Sequence, residues 1–180
     1  METSVAFGSH DYFVLLTLLL FARGVDILST WVATPNLVLE GNPIAKHLGW
    51  KGGIPLSLAI SFGFALSPLP AIIISTASVL VAARNFQQAW LMRSQGETAY
   101  RDWHIARIQE TPVTLYLFCL LGQTSLPAVV GFALLYYGGQ DVVPTGIGWG
   151  IVSYSIAVAF FTLLSIWRMR RAMTAPSSSI

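Results

Sequence analysis

The stretch Ala22–Pro43 reads "ARGVDILSTWVATPNLVLEGNP" and places an arginine and an aspartate in a run that otherwise has the composition of a membrane helix. If that helix begins near Tyr12, Arg23 lies about 16 Å and Asp26 about 21 Å along it. Each charge costs about 2.5 to 3.5 kcal/mol at the bilayer centre, and a large apolar residue returns only about 0.3 to 0.6 kcal/mol. We therefore expect both charged groups to have polar partners.

The rest of the chain also has the composition of an integral membrane protein. Of its 180 residues, 54% are hydrophobic and 10% are charged, whereas soluble proteins average about a quarter charged. At about 20 apolar residues per span, this length allows four spans. We therefore predict a single transmembrane domain at residues 1–172 and a short disordered tail at residues 173–180. The only cysteine, Cys119, excludes a disulfide within the monomer.

The fold predicted is an all-α membrane protein, a bundle of four transmembrane helices. The four spans are Tyr12–Ala33, a segment within Ile54–Ala83, Val113–Tyr137 and Ile147–Trp167. The second segment is too long for one straight crossing, because 30 helical residues reach about 45 Å. It contains "SPLP" at Ser67–Pro70, and proline removes backbone donors and clashes with the preceding turn. We expect a kink or a break there.

The most polar section, Arg84–Pro112, separates the second span from the third. Aromatic residues recur there at helical spacing between arginines, which predicts interfacial amphipathic helices, with Gly96 as the break between them. The same arginines favour contact with anionic lipids of the cytoplasmic leaflet. No nucleic-acid partner is expected, and a homo-oligomer or a larger membrane complex is left open.

The positive-inside rule predicts the orientation of a four-span chain. The N-terminus, the polar section and the C-terminus would share one side, and the other side would hold only Lys46 and Lys51. The shared side carries Arg84, Arg93, Arg101, Arg107, Arg168, Arg170 and Arg171. We therefore predict that both termini face the cytoplasm, in a prokaryotic inner membrane.

A polar site is predicted around the first span and the loop that follows it. Arg23 and Asp26 lie three residues apart on one helical face, with Thr30 one turn further on, so one interpretation is an internal ion pair alone. The other is a binding site near the outer face, formed when the loop folds back over the bundle. Its candidate ligand-binding residues are Arg23, Asp26, Thr30, Glu40, Asn42 and His47.

Oxygen-rich side chains of this kind suit a hard cation such as Ca²⁺, Mg²⁺ or Na⁺. The possible metal ligands are Asp26, Glu40 and Asn42. If Glu40 pairs instead with Lys46 or Lys51, the loop is only a charged surface. Asn42 also has a local interpretation, because Asn-Pro initiates turns.

Three further residues are secondary candidates. His104 and Glu110, close to the start of the third span, could relay protons if they turn inward. Gln123 lies near the middle of the third span, where its amide could bond to another helix or face Arg23.

The order Asp26, Thr30, Glu40, Asn42 and Pro43 resembles the signature of a family of small uncharacterised prokaryotic integral membrane proteins. In that signature an Asp-x-x-x-Thr on the first helix is followed by Glu-x-Asn-Pro after a short loop. The resemblance covers about 22 of the 180 residues and implies a compact helical membrane fold, without an activity. This chain has Arg23 where the resemblance leads us to expect an asparagine.

Three classes of function are compatible with the sequence. The first is a small membrane protein that binds or translocates a cation or a small polar solute. The second is a membrane-embedded enzyme that acts on a lipid-like substrate, with Asp26 or Glu40 as acid or base. The third is a structural or assembly subunit. Phosphate loops, cysteine clusters and nucleophile elbows are absent from the sequence.

Overall fold

The computed structural model describes residues 4–174, with side chains through Arg168, and this part of the chain is helical without strands. Four helices, α1, α3, α5 and α6, are long and apolar enough to cross a membrane. This confirms the predicted class of an all-α protein with four such helices. The six helices are α1 (His10–Ala33), α2 (Pro43–Phe64), α3 (Pro68–Gln95), α4 (Glu97–Glu110), α5 (Val113–Tyr137) and α6 (Val142–Thr174).

Local sequence sets where these helices begin and end. The Ser9 hydroxyl accepts a hydrogen bond from the backbone N–H of Tyr12 and so caps α1. Pro68 occupies the first turn of α3, where proline is tolerated, and α2 ends at Phe64. The chain therefore breaks at "SPLP", as predicted, and the spanning helix of this region is α3. Gly96, with a φ of 84°, separates α3 from α4.

The break at Gly96 is confirmed, but the section before it differs from the prediction. Residues 84–95 were expected to form a separate interfacial helix, whereas they continue α3 without interruption. α6 extends to Thr174 and so includes the first two residues of the predicted tail. The remainder of that tail, residues 175–180, lies outside the described residues.

α1 and α3 run parallel and in contact along their length. Near the start of both helices, Tyr12 and Ala71 belong to one buried apolar cluster. Towards their ends, the Asn85 amide donates to the Ser29 hydroxyl at 3.2 Å. The N-terminal ends of α1 and α3 therefore lie at the same end of the bundle. We call the end of the bundle where α1 and α3 begin the lower end, and the opposite end the upper end.

α2 returns the chain from the upper end to the lower end. Near its start, the Trp50 indole N–H donates to the carbonyl of Pro35, directly after α1. Beyond its last residue, the Leu66 carbonyl accepts from the backbone N–H of Val5, which precedes α1. Gly49, with φ 59° and ψ −169°, interrupts the helical geometry, so α2 consists of two helical pieces.

The last two helices pack tightly against each other and against α3. α6 is parallel to α3, because Gly146 lies beside Ile72 and Gly150 lies beside Thr76. α5 is antiparallel to α6: a Cβ added at Gly148 would lie 2.8 Å from the carbonyl oxygen of Gly131. Glycine is required at this point, because the two backbones approach too closely for a side chain.

The first and last helices therefore point the same way. α1 begins at the lower end and α6 finishes at the upper end, so the described part of the chain begins and ends at opposite ends of the bundle. The expectation of both termini at one end counted four helices and left out the return through α2; on which side of a membrane each terminus lies stays a prediction. α4 lies at the upper end, where the Glu97 carboxylate accepts from the backbone N–H of Asn36 at 3.0 Å.

Candidate functional site

An ion pair inside α1 forms the centre of the candidate site. The Arg23 Nη1 group donates to the Asp26 Oδ2 atom at 2.9 Å. Their side chains are 27% and 17% exposed, respectively. The three-residue spacing brings both groups to one face of the helix, which explains why this contact could be predicted from the sequence.

Two serines from neighbouring helices complete the surroundings of the guanidinium. The Arg23 Nε group donates to the Ser57 hydroxyl on α2 at 2.9 Å, and Nη1 also approaches the Ser78 hydroxyl on α3 at 3.3 Å. Both serines are buried. The guanidinium of Arg23 therefore has hydrogen-bond partners on three helices, which lowers the free-energy cost of its burial.

A second polar layer lies one turn closer to the upper end. The Asn85 amide on α3 donates to the hydroxyls of Ser29 and Thr30, at 3.2 Å and 3.1 Å. Ser29 in turn donates to the backbone carbonyl of Asp26 at 2.8 Å. Thr30, a predicted site residue, is thus linked through α3 to the helix turn that carries Asp26.

Sequence reasoning missed Ser57, Ser78 and Asn85. The four-residue spacing of Ser57 and Ser61 indicated only close helix packing. Asn85 was assigned to an interfacial segment, although it lies only two residues after Ala83, where the apolar part of α3 ends. The sequence signal that could have identified Asn85 is an amide side chain at the end of an apolar helix, in a chain whose first helix carries two charges.

The loop after α1 brings a second carboxylate towards this cluster. Glu40 lies within electrostatic range of Asp26. Its Oε1 atom accepts a hydrogen bond from the backbone N–H of Asn42 at 2.7 Å, and this bond orients the side chain. In the described part of the chain Glu40 forms no ion pair, so neither Lys46 nor Lys51 neutralises it by direct contact.

Asn42 has a structural role that accounts for its side chain. Its Oδ1 atom accepts from the backbone N–H of Ile44 at 3.0 Å and caps the start of α2. Pro43 occupies the first helical position, where proline is favoured. The sequence Asn-Pro therefore starts a helix here, and the amide oxygen of Asn42 already has a partner.

The charges of the cluster do not balance. The Arg23 guanidinium pairs with Asp26, and the Glu40 carboxylate lies within electrostatic range of Asp26, so the cluster has a net negative charge when all three groups are ionised. The Oδ1 atom of Asp26 forms no hydrogen bond with the described residues. No group of three His, Cys, Asp or Glu side chains that could hold a metal ion occurs among the described residues. A cation would therefore need hydroxyl, carbonyl or water oxygens in addition to the two carboxylates.

Four predicted residues lie apart from this cluster. His47 is exposed on the first piece of α2. Gln123 is exposed on α5, and the proposed contact with Arg23 is wrong, because the partners of Arg23 lie on α1, α2 and α3. The other two residues belong to α4 and are His104 and Glu110.

The two α4 residues have separate partners. The His104 ring stacks on Tyr100, with centroids 5.8 Å apart, and burial lowers the pKa of His104 below its usual value. Glu110 is exposed and forms an ion pair with Arg107 at 2.9 Å. Each of these side chains therefore contacts another residue of α4, and neither has the inward orientation that a proton relay requires.

The site also lies at a different end from the one expected. The loop with Glu40 was predicted to face away from the arginine-rich section. The hydrogen bond between Asn36 and Glu97 instead connects this loop with α4, so the loop, Lys46 and the arginines of α4 all lie at the upper end.

Comparisons with known proteins add nothing to this geometry. The resemblance carried by the residues from Asp26 to Pro43 stays a prediction. Searches against protein-family models, curated proteins and solved structures found no match for the chain.

Proposed function

We propose that this protein binds a small hard cation in the membrane, between Asp26 of α1 and Glu40 of the following loop. The observation that carries this proposal is the charge imbalance: the carboxylates of Asp26 and Glu40 lie within electrostatic range of each other, and Arg23 forms an ion pair with Asp26 while Glu40 has no ion-pair partner among the described residues. A bound cation would neutralise the excess charge. Carboxylate, hydroxyl and carbonyl oxygens are the ligands that Ca²⁺, Mg²⁺ and Na⁺ prefer.

The surroundings of the cluster support a binding site with limited access. Asp26 retains 17% exposure of its side chain, and Glu40 is half-buried, so the carboxylates are neither sealed in the bundle nor fully in solvent. The low local dielectric strengthens the attraction between this cluster and a cation. The ion pair with Arg23 weakens that attraction, which favours reversible binding.

The proposed orientation places the site at the cytoplasmic face. In this proposal α2 is a fifth membrane passage, so the N-terminus lies outside and the C-terminus lies inside. The chain has no Lys or Arg before Arg23, between Lys51 and Arg84, or between Arg107 and Arg168. Those are the stretches that reach the lower end, so the positive-inside rule assigns the upper end to the cytoplasm of the cell membrane.

Cation titration of the purified protein tests the function. We expect Ca²⁺, Mg²⁺ or Na⁺ to raise the melting temperature in detergent in a saturable way, because a ligand of the folded state stabilises it. Glu40→Gln keeps an oxygen that can accept from Asn42 and should remove most of this rise. Glu110→Gln removes the same charge from an exposed ion pair and is the matched control. A rise that survives in Glu40→Gln and in Asp26→Asn contradicts the proposal.

Impermeant labelling of single cysteines tests the orientation. In a Cys119→Ser background, Ser4→Cys at the lower end should react with a membrane-impermeant maleimide on intact cells. Ser94→Cys at the end of α3 should react only after permeabilisation. Equal labelling of the two variants on intact cells contradicts the five-passage orientation.

A structural role for Arg23 and Asp26 is the second candidate. It is supported by the hydrogen bonds from Arg23 to Ser57 and Ser78, which join three helices without any ligand. In that case all three cations leave the melting temperature of the wild type unchanged, whereas Asp26→Asn still destabilises the fold.

A further inference from the structure

A second feature of the upper end lies away from the cation cluster. A cavity of about 290 Å³ opens where α4, α5 and α6 meet. Its walls are aliphatic and aromatic, with Ile108 from α4, Leu117 from α5 and Leu163 from α6. Tyr116 and Trp167 also line it. Tyrosine and tryptophan rings are apolar but each carries one polar group, and they are enriched at the depth of the lipid headgroups.

Two arginines are close to residues that line this cavity, Arg84 to Tyr116 in space and Arg168 to Trp167 in the sequence, and neither has an acidic partner among the described residues. Arg84 of α3 lies within electrostatic range of the Tyr116 hydroxyl. Arg168 follows Trp167 directly at the end of α6 and is exposed. Neither forms an ion pair with the described residues. Their charges are therefore available to a ligand.

The arginines of α4 differ in this respect. Arg101 pairs with Asp102 and Arg107 pairs with Glu110, both at 2.9 Å. Local acidic residues therefore balance the charge of α4 itself. Of the arginines close to the cavity, those without an acidic partner therefore lie on α3 and α6.

We propose that the cavity between α4, α5 and α6 binds an anionic phospholipid, with an acyl chain against the apolar walls and the phosphate between Arg84 and Arg168. Guanidinium groups match phosphate oxygens in geometry and charge. Basic pockets between helices at the cytoplasmic side of a membrane are suited to lipid headgroups. A small soluble anion would leave the apolar walls without a contact, and a zwitterionic lipid would gain less from the two arginines.

The test is competition between two lipids with identical chains. The protein is reconstituted in nanodiscs of phosphatidylcholine and phosphatidylglycerol, extracted gently, and analysed by native mass spectrometry. We expect several-fold more phosphatidylglycerol than phosphatidylcholine to remain bound. Arg84→Gln and Arg168→Gln should each reduce this ratio by about fivefold, the usual effect of one basic residue near anionic lipid.

The matched control is Arg93→Gln, which removes the same charge from an exposed arginine of α3 that lies nine residues beyond Arg84. It should leave the lipid ratio unchanged. Leu163→Trp fills the cavity without a change in charge and should reduce retention of phosphatidylglycerol. Circular dichroism and elution volume confirm that each variant is folded.

Four outcomes overturn the proposal. Equal retention of the two lipids by the wild type removes the headgroup preference. An equal effect of Arg93→Gln and Arg84→Gln shows general attraction to the surface. Unchanged retention in a folded Leu163→Trp variant shows that the acyl chain does not occupy the cavity. Displacement of the lipid by glycerol phosphate at millimolar concentration shows that phosphate alone is the ligand.

Discussion

Two helix interfaces of this protein are stabilised in different ways. α1 and α3 are parallel and connected by polar side chains, such as Arg23 with Ser78 and Ser29 with Asn85. α5 and α6 are antiparallel, and their backbones approach each other at Gly131 and Gly148. Two hydroxyls of these helices bond back to their own helix, Thr124 to the carbonyl of Leu120 and Ser155 to the carbonyl of Ile151.

The difference indicates which of the two interfaces retains polar groups that helix packing alone does not require. In a membrane, helices associate through close packing or through hydrogen bonds, because lipid tails are as apolar as the side chains. Glycine contacts suffice for α5 and α6 and involve no buried charge. The polar contacts of α1 and α3 carry a desolvation cost that packing alone does not require. We therefore look for function at the α1–α3 interface.

The largest expected effect is the loss of the ion pair. Asp26→Asn leaves the charge of Arg23 without its carboxylate partner. We expect the free energy of unfolding to fall by about 3 kcal/mol, at the lower end of the range for buried pairs, because both groups retain some exposure. Unfolding in detergent, followed by circular dichroism, measures this loss.

A double-mutant cycle separates pairing from other effects. The combined change of Arg23→Gln with Asp26→Asn should recover most of the stability, because no unpaired charge remains. Additive losses would show that the two side chains stabilise the α1–α3 interface independently and would contradict the pairing.

The next effect concerns the glycine interface. In Gly148→Ala, the added Cβ would lie 2.8 Å from the carbonyl oxygen of Gly131 and 2.9 Å from Leu135. We expect a loss of about 2 kcal/mol, as is typical of overpacking, again measured by unfolding in detergent. Gly122→Ala on α5 is the control, because a Cβ there meets nothing within 4 Å. If both variants are equally stable, the close approach does not stabilise α5 against α6.

The smallest effect concerns the second polar layer. Asn85→Ala removes the hydrogen bonds to Ser29 and Thr30. The effect is small because these hydroxyls can bond within α1, as Ser29 does to the carbonyl of Asp26. We expect a loss of about 1 kcal/mol in the free energy of unfolding. Gln123→Ala removes an exposed amide and should have no effect on stability. A loss for Gln123→Ala as large as that for Asn85→Ala would remove the distinction between the two interfaces.

The sequence predicted the local features of the fold. Helix length, the break at "SPLP" and the break at Gly96 depend on residues that are adjacent in the chain, and so does the pair of Arg23 with Asp26. The return of the chain through α2 was missed. α2 contains Lys46, Lys51 and several glycines, which lower its hydropathy below that of a spanning helix. If α2 crosses the membrane, as we propose, this additional passage reverses the side that was assigned to every later segment.

The remaining site residues depend on which helices become neighbours. Ser57, Ser78 and Asn85 contact α1 only because α2 and α3 pack beside it. One of the alternatives for Gln123 was a position facing Arg23, but α5 packs against α6. Hydropathy and spacing determine that a segment is a helix, and they contain no information about which helix faces which.

The interruption of α2 at Gly49 has a consequence for the lipid around the protein. The longer piece runs from Trp50 to Phe64, and its 15 residues reach at most about 22 Å as a helix. A hydrocarbon core is about 30 Å thick. If α2 is the fifth passage that we propose, the bilayer would thin or its headgroups would dip on this side of the bundle, and hydrophobic mismatch would favour this protein in thinner membrane regions.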